Sequence, residues 1–208
     1  MKKARNFFTE EEKTRIEAAV REAESRTAGE VVPMVVDESY DYPQAETVGA
    51  AFFSLAVAVT LAWAFGNSSV WVFLPLFFLF YFPFLYLIRN WWGLRRKLVS
   101  ATEMDVEVAE NALVCFAEHG LHRTRAGTGI LILISLFEHR VHVLADYGIN
   151  AKVAPHTWEE IVETVTAGLH DGRPCEALCA AVARCGDLLQ EHFPRQADDV
   201  DELPNLII

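Results

Sequence analysis

Two short acidic stretches carry the side chains best suited to chemistry. Asp37, Glu38 and Asp41 follow the apolar run 30–37, among Tyr40, Tyr42 and Pro43. Asp146 closes a second run, 140–146, directly before Tyr147 and Gly148. Carboxylate oxygens are hard ligands, and a set of them suits Ca²⁺ or Mg²⁺. If the strands that deliver them run parallel, Asp37, Asp41 and Asp146 meet at one edge of a sheet, with Thr128 beside them. That edge is where open α/β sheets bind ligands. An ion held there could also carry a water for metal-assisted phosphate hydrolysis. The alternative is a set of solvated loop carboxylates, with Asp146 serving turn geometry.

Other chemistry finds little support. There is no P-loop, no GxSxG, no HExxH and no Rossmann glycine pattern in the sequence. The histidines are scattered: His119 and His122 share a helix-end loop, and His139 and His142 flank a strand. The four cysteines, Cys115, Cys175, Cys179 and Cys185, form no CxxC pair. They read as reduced, buried thiols rather than a zinc or redox site.

The elements that must position these residues can be read from periodicity and punctuation. Thr9 with Glu12 forms a capping box ahead of Ile16, Ala19, Val20 and Ala23 at helical spacing. Residues 30–37 read as a buried strand, with Pro33 marking an edge position or a local irregularity. A helix is expected over 103–119, ending at Gly120, followed by a basic loop over 121–128. The charge-free run 129–135 reads as the central strand. A turn at Glu138-His139 then joins it antiparallel to a third strand, 140–146. Thr157 with Glu160 reads as a second capping box, and two helices follow, the last over 175–193. The order predicts an α/β fold: a small mixed sheet of three to four strands flanked by helices.

A two-helix membrane hairpin interrupts it. Residues 48–65 and 70–88 contain no Asp, Glu, Lys, Arg or His, and Gly66-Asn67-Ser68-Ser69 divides them. Each run has roughly the 18–20 residues a helix needs to cross the hydrocarbon core. Ala50, Ser54, Ala58 and Ala62 recur every fourth residue, the spacing of a small-residue packing face. Phe73, Phe77, Phe80 and Phe84 give the second helix a bulky face, and Pro75 and Pro83 predict a kink. The small stripe fits either the partner helix or a second copy of the chain. Trp63 and Trp71 near the turn, and Tyr86, Trp91 and Trp92 at the other end, fit interfacial belts.

Charge sets the expected orientation and excludes one class of partner. Arg89, Arg95, Arg96 and Lys97 follow the second run closely, whereas the turn has no Lys or Arg. The positive-inside tendency then places the termini and the soluble domain in the cytoplasm. The formal net charge of −11 argues against a nucleic-acid partner, which needs a basic face. No apolar signal-peptide core opens the sequence, so the hairpin itself is expected to direct insertion.

These residues together resemble a known family. The stretch 9–37, including Glu-Ala-Glu-Ser-Arg-Thr-Ala-Gly-Glu-Val-Val at 22–32, is similar to the opening of the TPM domain. So is Thr128-Gly-Ile-Leu-Ile-Leu-Ile-Ser, with its short turn and Arg140-Val-His-Val-Leu-Ala-Asp-Tyr-Gly148. Gly172, the last helix and the Asp201-Glu-Leu-Pro ending resemble the membrane-bound bacterial branch, with the hairpin as the departure from the standard domain. The expected organisation is a first domain part over 1–45, the hairpin over 46–92, the rest of the domain over 93–194 and an acidic tail over 195–208. The resemblance implies a protein of the bacterial inner membrane. It implies little about activity: relatives include a chloroplast protein described as an acid phosphatase, bacterial domains that bind divalent cations, and an accessory subunit of a receptor channel. The expected function is a non-catalytic scaffold or accessory factor for membrane protein complexes. Its partners are the bilayer and a membrane protein, with Ca²⁺ or Mg²⁺ as the candidate ion. A metal-assisted phosphatase is the alternative.

Overall fold

A computed structural model describes residues 3–66, 69–124, 127–154, 156–195 and 203–208. Asn67 and Ser68 of the expected hairpin turn, Arg125 and Ala126 of the basic loop, and 196–202 of the tail lie outside the described residues. The chain divides into two compact units, one of Met1–Ser39 with Asp105–Ile208, the other of Tyr40–Met104.

The first unit is built on a mixed sheet of β1 (Glu30–Val36), β2 (Gly129–Ser135) and β3 (Arg140–Ala145), in that order. β1 runs parallel to β2, and β3 antiparallel to it. Every residue of β2 is buried, which explains its unbroken apolar run: a strand covered on both faces has no polar side to show. On one face Val31, Val35, Ile130, Ile132 and Ile134 pack with α1 (Glu10–Glu24), α7 (Thr157–His170) and α8 (Pro174–His192). On the other, Val32, Met34, Leu131 and Leu133 meet Val108, Ala112, Cys115 and Phe116 of α5 (Ala101–Glu118). Gly129 opens β2 where no side chain fits, because a Cβ there would stand 2.6 Å from the Leu121 carbonyl.

The caps match expectation at one end and depart from it at the other. Thr9 and Glu12 close the capping box of α1, each side chain bonding the other's backbone N–H. Thr157, by contrast, is the first helical residue of α7 rather than its cap. His156 takes the cap position, and its ring nitrogen lies 2.9 Å from Glu159. Two further helices, α4 (Trp92–Leu98) and α6 (Tyr147–Asn150), had no periodic signal because each is too short to repeat one.

The outer edge of β1 is closed position by position. The Val31 N–H donates to Glu24 Oε1 at 3.1 Å. Pro33 has no N–H to offer. The Val35 N–H donates to the Ile207 carbonyl at 3.0 Å, and the Ile207 N–H donates back to the Pro33 carbonyl at 3.0 Å. The final residues therefore lie parallel to β1 as a single bridge, Met34 with Ile207. Leu206 packs on one core, and Leu203 and Ile207 on the other. A bare edge with alternating apolar residues would template unwanted strand pairing, and this arrangement blunts it.

The second unit holds α2 (Pro43–Ala64) and α3 (Val70–Asn90), followed by α4. Both helices are long and apolar enough to cross a membrane, and α3 continues through Pro75 and Pro83. Ala50, Ser54 and Ala58 are fully buried, so the small stripe faces the packed side of α2. Phe53 meets Phe84 across the helix pair, with ring centroids 5.7 Å apart. Gly49 admits Leu98 and Ile88, which stand 2.7 Å and 3.2 Å from where its Cβ would be. Beneath them Glu46 pairs with Arg95 at 3.4 Å, both side chains nearly buried. Ala58→Leu adds bulk at the centre of this packed stripe, and overpacking costs about 1–3 kcal/mol. The expected result is a lower melting temperature in detergent; an unchanged one would show that the stripe is not a close contact.

Candidate functional site

The three candidate aspartates do not come together. Because β1 is parallel to β2 and β3 antiparallel, β1 and β3 run in opposite directions. Asp37 follows the end of β1, beside the start of β3. Asp146 follows the end of β3, beside the start of β1, where Glu30 pairs with Gly129 and Gly129 accepts from the Asp146 N–H. A seven-residue strand separates the two carboxylates by roughly 20 Å. Thr128 lies at the Asp146 end, its hydroxyl donating to the Ala28 carbonyl at 2.9 Å. Asp41 belongs to the other unit and is exposed. The assumption that the first and third strands run parallel is what fails.

Each domain aspartate has a local task. Asp37 Oδ1 accepts the Ala4 N–H at 2.5 Å, and its backbone carbonyl accepts the Phe137 N–H. Asp146 caps α6 by accepting the Tyr147 N–H at 2.6 Å. Among the described residues no group of three or more His, Cys, Asp or Glu side chains is placed to hold a metal.

A polar cluster instead lies at the end of the sheet where β1 and β2 finish. The parallel ladder continues past both strands, with the Leu136 N–H bonded to the Val36 carbonyl and the Phe137 N–H to that of Asp37. This draws the chain leaving β1 across the β2–β3 turn and buries it. Glu138, part of the expected turn, is fully buried, and Ser135 is 1% exposed. Glu138 Oε1 accepts the Ser39 N–H at 3.0 Å, and Oε2 accepts the Ser135 hydroxyl. The Ser39 hydroxyl donates to Ser135 Oγ at 3.0 Å and receives Asn111 Nδ2 at 3.4 Å. Asn111 lies on α5, so its bond to Ser39 ties the set to that helix, where Cys115 Sγ in turn donates to Asn111 Oδ1 at 3.7 Å. His139 closes the turn with φ +53°, in the left-handed region.

The donors run in series: Ser39 hydroxyl to Ser135 hydroxyl to carboxylate. A buried polar group is tolerable when hydrogen bonds satisfy it. Chemically the arrangement is a lock on the exit of β1. The Ser39 proton points to another hydroxyl and not to a ring nitrogen, so this is no activated nucleophile of the usual kind. The signal available in the sequence was a serine closing a charge-free strand, followed by Leu136 and Phe137, a turn too apolar for solvent.

The thiols behave as buried groups. Burial pushes Cys185 up to about 12 and Cys175 to about 11, and it raises Cys115 and Cys179 as well. The thiolate is the reactive form, so all four are poor nucleophiles near neutral pH. In the folded protein at pH 8, iodoacetamide should modify Cys175 and Cys185 far more slowly than in denaturant, as mass spectrometry of peptides would show. Rapid labelling of either in the native state would contradict their burial.

Comparison with known proteins agrees with this architecture. No curated protein sequence matches the chain. The NMR structure of the BA42 protein from the psychrophilic bacterium Bizionia argentinensis is similar in fold, with a TM-score of 0.59 and 21% identity. The match covers 100% of this chain and 98% of that one. The family model of the TPM domain matches residues 97–188, the span that holds β2, β3, the buried turn and most of the helical layers.

Proposed function

We propose that this is a membrane-anchored accessory protein, with α2 and α3 as the anchor and the TPM domain as a non-catalytic docking platform for a membrane protein. One observation carries the reading. The apolar windows of α2 and α3 are only 22% and 6% buried, whereas a core helix of a soluble protein would be mostly covered. The outward surface includes Phe52, Phe78, Leu79 and Phe82, each more than half exposed, and lipid is the solvent such a surface fits. Trp63 and Trp71 project at one end, and Tyr86 and Trp91 at the other, as interfacial aromatics do. Arg89 and Lys97, exposed beside the second end, favour a cytoplasmic domain. The buried Glu138 lock supports the non-catalytic part, since it holds backbone in place and leaves no free base. The metal-assisted phosphatase gains no support from a sheet that parts Asp37 from Asp146.

Alkaline carbonate washing of isolated membranes tests the anchor: the protein should stay in the pellet, and release into the supernatant would reject it. Orientation is tested with the native cysteines replaced and one introduced at Ser69 or at Lys3. Impermeant maleimide on intact cells should label the first, and labelling of the second would invert the topology. The accessory role is tested by recovery from membranes in mild detergent: a stoichiometric membrane protein should co-purify, and a chain that runs alone would count against it.

A further inference from the structure

We propose that the outer edge of β1 is a strand-addition site for an extended apolar segment of the membrane partner, occupied at rest by the chain's own residues 203–208. The inference deepens the accessory reading and rests on it for the nature of the partner. Three positions of β1 face outward. Val31 is satisfied by a side chain of α1, and Pro33 needs nothing as a donor. Val35 takes its acceptor from the last residues of the chain, at Ile207. The edge is thus closed from α1 and by proline at two positions, and by residues 203–208 at the third.

The resting occupant defines the chemistry the edge accepts. Leu203, Leu206 and Ile207 fill apolar ground on both faces of the sheet, while one backbone bridge fixes the direction as parallel. An extended segment patterned Leu-x-x-Leu-Ile meets these requirements, main-chain bonds giving affinity and alternate side chains giving specificity. Two backbone hydrogen bonds anchor the resident strand, against the continuous ladders on both sides of β2. The seven residues that join it to Arg195 include Asp198, Asp199, Asp201 and Glu202. A tethered strand of this size blocks the site by high local concentration, and a partner segment competes with it.

The test uses the full chain in detergent micelles and a fluorescent peptide, Leu-Pro-Asn-Leu-Ile-Ile. Ile207→Asp puts a charge where the resident strand packs, without shortening the chain. The peptide should bind this variant at least tenfold more tightly than the unaltered protein, and a peptide N-methylated at its first isoleucine should not bind. Equal or absent binding in both proteins, with the variant shown to be folded, would overturn the proposal. Amide exchange on the unaltered protein guards against a variant that fails to fold. Val35 and Ile207 should exchange at least a hundredfold faster than Ile132, and equal protection would make the last residues a fixed part of the sheet. A concentration-dependent dimer with exchanged ends would assign the edge to a second copy and overturn the partner assignment. Failure here leaves carbonate resistance and partner co-purification untouched, so the two readings fail separately.

Discussion

Replacing residues 40–104 with a Gly/Ser linker should leave a protein that is recovered from water without detergent. Both hydrophobic cores belong to the unit formed by Met1–Ser39 and Asp105–Ile208, so the deletion removes no residue from either. The exit of β1 is held to α5 by the Asn111–Ser39 bond, at 3.4 Å. Asp105 lies six residues back along that helix, about 9 Å at 1.5 Å per residue. A linker of about ten residues spans such a gap easily, and loop-closure entropy grows only slowly with length. Ultracentrifugation without detergent should leave the shortened protein in the supernatant with a cooperative melting transition. Recovery only as aggregate would show that the domain does not stand without its insertion. A folded protein that still pellets with membranes would place the attachment outside α2 and α3.

Glu138→Ala should be among the most damaging single changes in the domain. It removes the acceptor of the Ser39 N–H and of the Ser135 hydroxyl, both at a site closed to water. Each buried donor left unsatisfied costs about 1–3 kcal/mol. For a domain of this size, a total near 3 kcal/mol corresponds to a fall of about 10 °C in melting temperature. Glu138→Gln keeps the shape and one acceptor oxygen, so it should lose clearly less. Differential scanning fluorimetry on the two variants decides the matter. Equal and small losses would mean that the lock is dispensable for stability, and the cluster would then need a functional explanation.

Much of the architecture was legible because single segments carried it. The two charge-free runs were long enough to be read as a hairpin, and the small stripe through Ala50, Ser54 and Ala58 does lie on the buried side. The unbroken apolar stretch of β2 announced a strand covered on both faces. Pro33 announced an edge, and β1 is an edge strand. Strand direction was not legible in the same way. The β2–β3 turn fixed one pairing as antiparallel, but the long excursion between β1 and β2 fits either direction, so the relation of β1 to β3 stayed open. The candidate metal site depended on that relation. Glu138 stayed hidden for a related reason: its burial comes from the ladder running past the end of β1, a contact between residues far apart in sequence. Leu206, Ile207 and Ile208 are apolar, but their place beside β1 is a contact between residues far apart in sequence.

The parallel ladder also sets a timetable. Glu30 pairs with Gly129, 99 residues later in the chain. At synthesis rates of about 5–20 residues per second, the ribosome needs roughly 5–20 s to make that partner after β1 has been made. During this interval the nascent segment Val31–Val36, apolar almost throughout, has no strand to receive it. The domain cannot begin its sheet from the N-terminal side; it must wait for β2, which then recruits β3 within a few residues and β1 from a distance. Contacts of such long range slow folding. Cells depleted of the chaperones that shield nascent chains are therefore expected to accumulate this protein as aggregate, with β1 the sticky segment.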